Sequence, residues 1–316
     1  MSEHHHHWFA TSAAFGVGVL AAIQSRVNGD LGHQVGDGVV AALISFLVGL
    51  AVVVVLVLTN DRARGAVLAI PDLVRVRRLS WWMLLGGLGG ATIVVGQSTA
   101  VPVIGVALFT VCVVAGQTGS SLAVDQLGLG PAGVQHVTAR KIAAAVVAVT
   151  AVLIAVWPRI TGGHFSAPYL VLSFVAGVVG AAQLALNGRV SVETGHPLAA
   201  TLANFISGLT GLLLVLGIEV AVRGWKAGPL PSEPWLYLGG LIGVTFIVVA
   251  STVVRIIGVL ALTLATVAGQ LAGALLLDIV APVQGQEVTT ATVLGCILTF
   301  VAVLIGAQRV RQTGAS

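Results

Sequence analysis

Ten stretches of about twenty apolar residues, each closed by polar residues, glycine or proline, follow one another along this chain. They fall at 10–35, 39–59, 81–101, 104–124, 140–157, 169–193, 198–222, 235–254, 257–277 and 290–308. Twenty apolar residues in a helix cover about 30 Å, the thickness of a bilayer's hydrocarbon core, so each stretch predicts a membrane-spanning helix. Only two connections are long, 60–80 and 125–139, which leaves no room for a soluble domain. The expected fold is an all-α polytopic membrane protein with ten transmembrane helices.

The pattern repeats. At an offset of 159, Gln24, Asn28, Gly29, Ala41, Leu43, Phe46, Gly49 and Leu50 return as Gln183, Asn187, Gly188, Ala200, Leu202, Phe205, Gly208 and Leu209. From the third stretch the offset becomes 153. Leu85 to Leu88, Gly90, Thr92, Ser98, Thr99 and Gly105 match Leu238 to Leu241, Gly243, Thr245, Ser251, Thr252 and Gly258. Ala115, Gly116, Gln117 and Asp125 likewise match Ala268, Gly269, Gln270 and Asp278. The six-residue shift falls in a loop, where insertions are tolerated.

Five spans per copy is odd, so the second copy enters the membrane inverted. The expected order is a His-rich cytoplasmic tail at 1–9, a five-helix repeat at 10–158, an inverted one at 169–310 and a tail at 311–316. Charge agrees. With both termini cytoplasmic, the inner side holds Arg62, Arg64, Arg75, Arg77, Arg78, Arg140, Lys141, Arg189, Arg255, Arg309 and Arg311, and the outer side only Arg26, Arg159, Arg223 and Lys226. That asymmetry follows the positive-inside rule.

Composition supports the membrane reading and changes little else. The chain is 57% hydrophobic and 8% charged, against roughly 25% charged in soluble proteins. The net charge of +4 comes without a basic domain or aromatic interleaving, so no nucleic-acid partner is expected. Cys112 and Cys296 stand in separate apolar runs and read as inert thiols. The histidines of the first residues read as a disordered tract. No metal-binding pattern, phosphate loop or nucleophile elbow occurs, so neither enzyme activity, nor a metal, nor a cofactor is expected.

The candidate chemistry lies in amides. Gln24 with Asn28, and Gln183 with Asn187, are spaced to share one helix face inside an apolar span. An unpaired amide in hydrocarbon costs several kcal/mol, so each pair needs a partner, a cavity or a ligand. Two readings stay open: a hydrogen-bonding site at a cavity between the first and sixth helices, or interhelical glue. Gln117, Gln270, Ser98, Ser251, Ser45 and Asn204 complete the candidate substrate-binding set. Asp125, Asp278, Asp30 and Glu193 are weak candidates for ion coupling, because none stands clearly at mid-span. Arg26 with Asp30 and Arg189 with Glu193 are spaced for intrahelical ion pairs.

Gln-x-x-x-Asn, a short glycine-containing loop, then Ala-x-Leu-x-x-Phe-x-x-Gly-Leu resembles the YdcZ-like five-helix domain of the drug/metabolite transporter superfamily. Gly116-Gln117 to Asp125 and Gly269-Gln270 to Asp278 fit its later part. The resemblance covers nearly the whole chain, as a fused pair of domains. It implies a multi-pass exporter in the bacterial inner membrane with both termini inside. The expected function is secondary transport of a small polar or amphiphilic metabolite by alternating access around an amide-lined site. The expected partners are the lipid bilayer and a small-molecule substrate, with a monomer as the working unit and a homodimer as the other option. The alternative is a non-transporting scaffold whose amides only join helices.

Overall fold

The computed structural model describes residues 2–131, 133–161, 166–283 and 288–307. The expected tail at 311–316, Arg309 and Arg311 lie outside the described residues. Eleven α-helices follow: α1 (Ser2–Val35), α2 (Gly38–Leu58), α3 (Asp61–Leu68), α4 (Ile70–Arg75), α5 (Gly87–Ile104), α6 (Val106–Gln126), α7 (Ala139–Thr161), α8 (Ala167–Thr194), α9 (Pro197–Arg223), α10 (Gly239–Val280) and α11 (Thr290–Ala307). No strand occurs among the described residues. Among the described residues, eight segments are long and apolar enough to cross a membrane, and Gly239–Val249 and Thr290–Gly306 are shorter apolar helices. The protein is an all-α polytopic membrane protein.

Differences from the sequence reading are local. Helix α1 begins at Ser2, so the His-rich tract is helical rather than a disordered tail. The connection 60–80 holds α3 and α4, too short and polar to register as spans. Asn60 starts α3 by accepting from the Ala63 amide at 3.0 Å, and Arg77, at φ 59°, turns the chain out of α4. Between α1 and α2, Gly36 adopts φ 73°, and the Asp37 carboxylate caps α2 through the Val39 and Val40 amides at 2.9 and 3.0 Å.

Helix α10 takes up two expected spans, 235–254 and 257–277. Its arms run in opposite directions along α1. Gly239 and Gly243 meet Asn28 and Gln24, whereas Gly269 and Gly273 meet Phe15 and Val19. In a straight helix residues 239 and 273 would stand about 51 Å apart, yet they touch α1 a few turns from each other. Val249, Val253, Leu262 and Ala265 all pack with Ala10 to Ala14, so α10 doubles back between Val253 and Leu262. The equivalent reversal in the first half is a clean break. Pro102 lacks an amide donor, Gly105 takes φ 80°, and α6 starts anew at Val106. Arg255 replaces Pro102 in the second half, and helical backbone carries through there.

The halves interlock. Helix α1 packs along α10, α8 along α5 and α6, and α2 against α9. Equivalent positions make equivalent contacts. Gly18 of α1 abuts Thr266 and Gln270 of α10, as Gly177 of α8 abuts Val113 and Gln117 of α6. Gly269 lies on the Phe15 backbone as Gly116 lies on that of Phe174. Lipid gives helices no hydrophobic reason to associate, so close approach at small residues is what holds such seams.

Candidate substrate site

In the second half, the Gln183 and Asn187 side chains on α8 both donate to Asn204 Oδ1 on α9, each at 2.9 Å. In the first half, Asn28 Nδ2 on α1 donates to Gln97 Oε1 on α5 at 2.7 Å. Gln97 Nε2 then donates to Ser25 Oγ at 3.0 Å, and Ser25 to the Ala21 carbonyl at 3.0 Å. The clusters differ because the sequence differs: Ser45 stands where the second half has Asn204, and Ala250 and Leu184 where the first has Gln97 and Ser25. Gln97 escaped the sequence reading for that reason, since it has no polar counterpart in the repeat. A lone amide inside an apolar span was the available signal.

Each amide pair is seated on the glycine-rich start of a helix from the other half. A Cβ on Gly239 would collide with Asn28 Oδ1, and one on Gly243 would lie 2.8 Å from Gln24 Nε2. Correspondingly, a Cβ on Gly86 would lie 2.7 Å from Asn187 Oδ1, and one on Gly90 2.6 Å from Gln183 Nε2. The Ser45 hydroxyl also faces Gly239, at 3.0 Å from that Cβ position. Asn28 is fully buried, and its Oδ1 accepts no hydrogen bond. The half-buried Gln24 amide has no hydrogen-bond partner among the described residues.

The sequence reading placed these amides between the first and sixth spans. In the structure α5 lies between α1 and α8. Gln97, on one side of α5, meets Asn28; Gly90, on the other, meets Gln183. Seven residues, or about 10 Å of helix, separate them. The amides therefore form two clusters flanking α5.

The remaining candidates scatter. Gln117 Nε2 on α6 approaches Gly180 of α8, one turn from Gln183. The Gln270 backbone meets Gly18. Ser98 is buried with its hydroxyl unbonded, while the side chain of Ser251 falls outside the described part. Arg26 and Asp30 form the expected ion pair at 3.1 Å. The expected Arg189–Glu193 pair does not form. Glu193 instead meets Arg78, which the turn after α4 delivers at 3.2 Å, and Arg189 donates to the Gly130 carbonyl at 3.2 Å. Asp125 bonds Lys141 Nζ at 2.5 Å. Asp278 is 7% exposed and accepts from the Val106 and Ala107 amides at 3.0 and 2.7 Å, capping a helix of the other half.

No group of three metal-ligating side chains occurs among the described residues. A hollow of about 430 Å³ lies away from the amides, between Asn60, Arg62 and Ala66 on one side and Thr194 to His196 on the other. A family model described as "Putative inner membrane exporter, YdcZ" matches residues 9–154 and, a second time, residues 168–305. No curated protein matches the chain.

Proposed function

The chain belongs to that family, carrying its domain twice, and on this premise we propose a secondary transporter that exports a small polar or amphiphilic metabolite by alternating access. The observation that carries the reading is the seating of Gln24 and Asn28 on Gly243 and Gly239, and of Gln183 and Asn187 on Gly90 and Gly86. Hydrogen-bonding groups set against bare backbone, where the halves meet, supply polar contacts that shift when one half rocks on the other. Inverted repeats with a site at their interface suit that motion. Arg26 and Asp30, on the helix that carries Gln24 and Asn28, pair with each other at 3.1 Å, so a neutral or singly charged solute fits better than a polyanion.

In the mechanism, Gln24 is the group left to meet a substrate, because its amide is unpartnered. Asn28 Oδ1 offers a buried acceptor beside Ser45. Gln183 and Asn187 already share Asn204, so a ligand on that side competes with an existing bond. A second reading, amides as glue alone, draws on the same bonds: Asn28 to Gln97, and Gln183 and Asn187 to Asn204. A thermal-shift screen of purified protein against a metabolite and cation library separates the two. Stabilisation by one compound, lost on Gln24→Leu, supports transport; for a ligand at 100 times its Kd the gain is about 2.7 kcal/mol. Wild-type flux of such a compound through the Gln24→Leu/Gln183→Leu variant removes the amides from the mechanism.

A further inference from the structure

The two ends of the α2–α9 pair are repeat equivalents built differently. At an offset of 159, Asp37 corresponds to His196, Asn60 to Glu219, Arg64 to Arg223 and Gly65 to Gly224. Asp37, Glu219, Arg223 and Gly224 line a space of only about 10 Å³, the size of one water. The loop after α9 closes that end. Its Gly228 amide donates to the Val35 carbonyl at 2.8 Å, and Ala227 packs on the cluster of Leu31, Val35 and Val40. At the other end, Asn60, Arg62, Gly65 and the turn at Gly195 border the hollow of about 430 Å³. A Cβ on Gly65 or on Gly195 would meet nothing within 4 Å, so the space over both glycines is open.

Charge separates the two ends further. Five arginines and two aspartates stand between residues 61 and 78. Arg64 is engaged by Asp61, Arg75 by Asp72 and Arg78 by Glu193. Arg62 borders the hollow and has no carboxylate partner among the described residues. Asn60 commits its Oδ1 to the Ala63 amide, which leaves its Nδ2 to donate. Apolar side chains stand beside these polar ones. Leu58 and Val192, each two residues before a lining residue, are 60% and 65% exposed, and Trp81 is 66% exposed just after α4. Exposed tryptophan marks the headgroup level of a bilayer. The closed counterpart carries the carboxylates Asp37 and Glu219 instead, which repel an anion.

We propose that the hollow between α3 and the α8–α9 turn holds the headgroup of an anionic phospholipid, with Arg62 and Asn60 donating to its phosphate. The acyl chains then run along the exposed Leu58 and Val192, a rim for which a free anion has no use. The positive-inside rule assigns this end to the cytoplasm, where basic pockets between spans take anionic headgroups. The site exists in one copy of the repeat only, because the other copy has carboxylates and a closing loop in its place.

Transport is not read in the test, so the proposal can fail while transport stands. Purified full-length protein is melted in detergent micelles doped with dioleoylphosphatidylglycerol, with dioleoylphosphatidylcholine, or with inorganic phosphate in the buffer. The anionic lipid alone should raise Tm, along a saturating curve. Arg62→Gln, at an exposed position, should melt like the parent without lipid and need about fivefold more anionic lipid for half-saturation. Arg75→Gln, outside the hollow and paired with Asp72, should leave the curve unchanged. Gly65→Leu, which extends a side chain into the open space, should abolish the shift. An equal shift with phosphatidylcholine overturns the proposal, and so does one reproduced by inorganic phosphate. Equal weakening by Arg62→Gln and Arg75→Gln would show diffuse surface charge and overturn it too, as would a full shift in Gly65→Leu.

Discussion

The rings of Phe46 and Phe205 meet with centroids 5.1 Å apart and planes inclined by 56°, each against the glycine one turn beyond the other. Phe46 fills the space over Gly208, and Phe205 the space over Gly49. The four residues are two repeat pairs, so α2 and α9 present one another with the same surface. Gly208 also lies close to the Gly87 carbonyl. Gly208→Val should therefore lower stability by about 1–3 kcal/mol through overpacking, and Phe46→Leu by less than about 1.5 kcal/mol. Thermal unfolding of the purified variants checks the order, and a costlier Phe46→Leu contradicts it.

Asn28 and Gln97 should be energetically coupled. Interhelical hydrogen bonds in membranes average about 0.6 kcal/mol and reach about 1.7 kcal/mol. A double-mutant cycle with Asn28→Ala and Gln97→Ala is expected to return a value in that range. The same cycle run on Asn28 and Asn204, which share no bond, should return additivity.

Gln24 and Asn28 should behave differently although the sequence pairs them. Gln24→Leu removes no hydrogen bond and should leave stability within about 0.5 kcal/mol. Asn28→Leu strands Gln97 in a buried position and should cost about 1–3 kcal/mol. Equal losses measured by denaturation would show that Gln24 has a structural partner.

Gly239→Ala should destabilise because its methyl group meets Asn28 Oδ1. The double variant Gly239→Ala/Asn28→Ala should regain part of that loss, since the colliding atom is gone. Gly65→Ala, at a position with open space around it, serves as the neutral comparison, read by the same melting curve.

The apolar runs predicted where α1, α2 and α5 to α9 would lie because the length of a bilayer span and its flanking glycines are written in sequence. The repeat offset of 159 also paired Phe46 with Phe205 and Gly49 with Gly208, and each ring lies against the other's glycine. Two things were illegible. Periodicity between 235 and 277 does not say that helical backbone persists through the reversal of α10. The repeat filter, useful for Gln183, hid Gln97 because evolution placed the partner of Asn28 on α5 in one half and the partner of Asn187 on α9 in the other. Glu193 shows the same limit: spacing offered Arg189, but a distant loop brought Arg78 closer.

The unequal partners of Asn28 and Asn187 have a consequence for how the protein is made. Chains emerge at about 5–20 residues per second, so Asn28 leaves the ribosome roughly 10–40 s before Gly239. During that wait α1 lacks the surface it will finally lie on. Gln97 arrives within the same half and gives the Asn28 amide a bond while α10 is still unmade. Helix α8 has no such delay, because α5 precedes it into the bilayer and Asn204 follows almost at once. The first copy can therefore partner its buried amide before Gly239 is made, and that bond is kept in the folded protein at 2.7 Å.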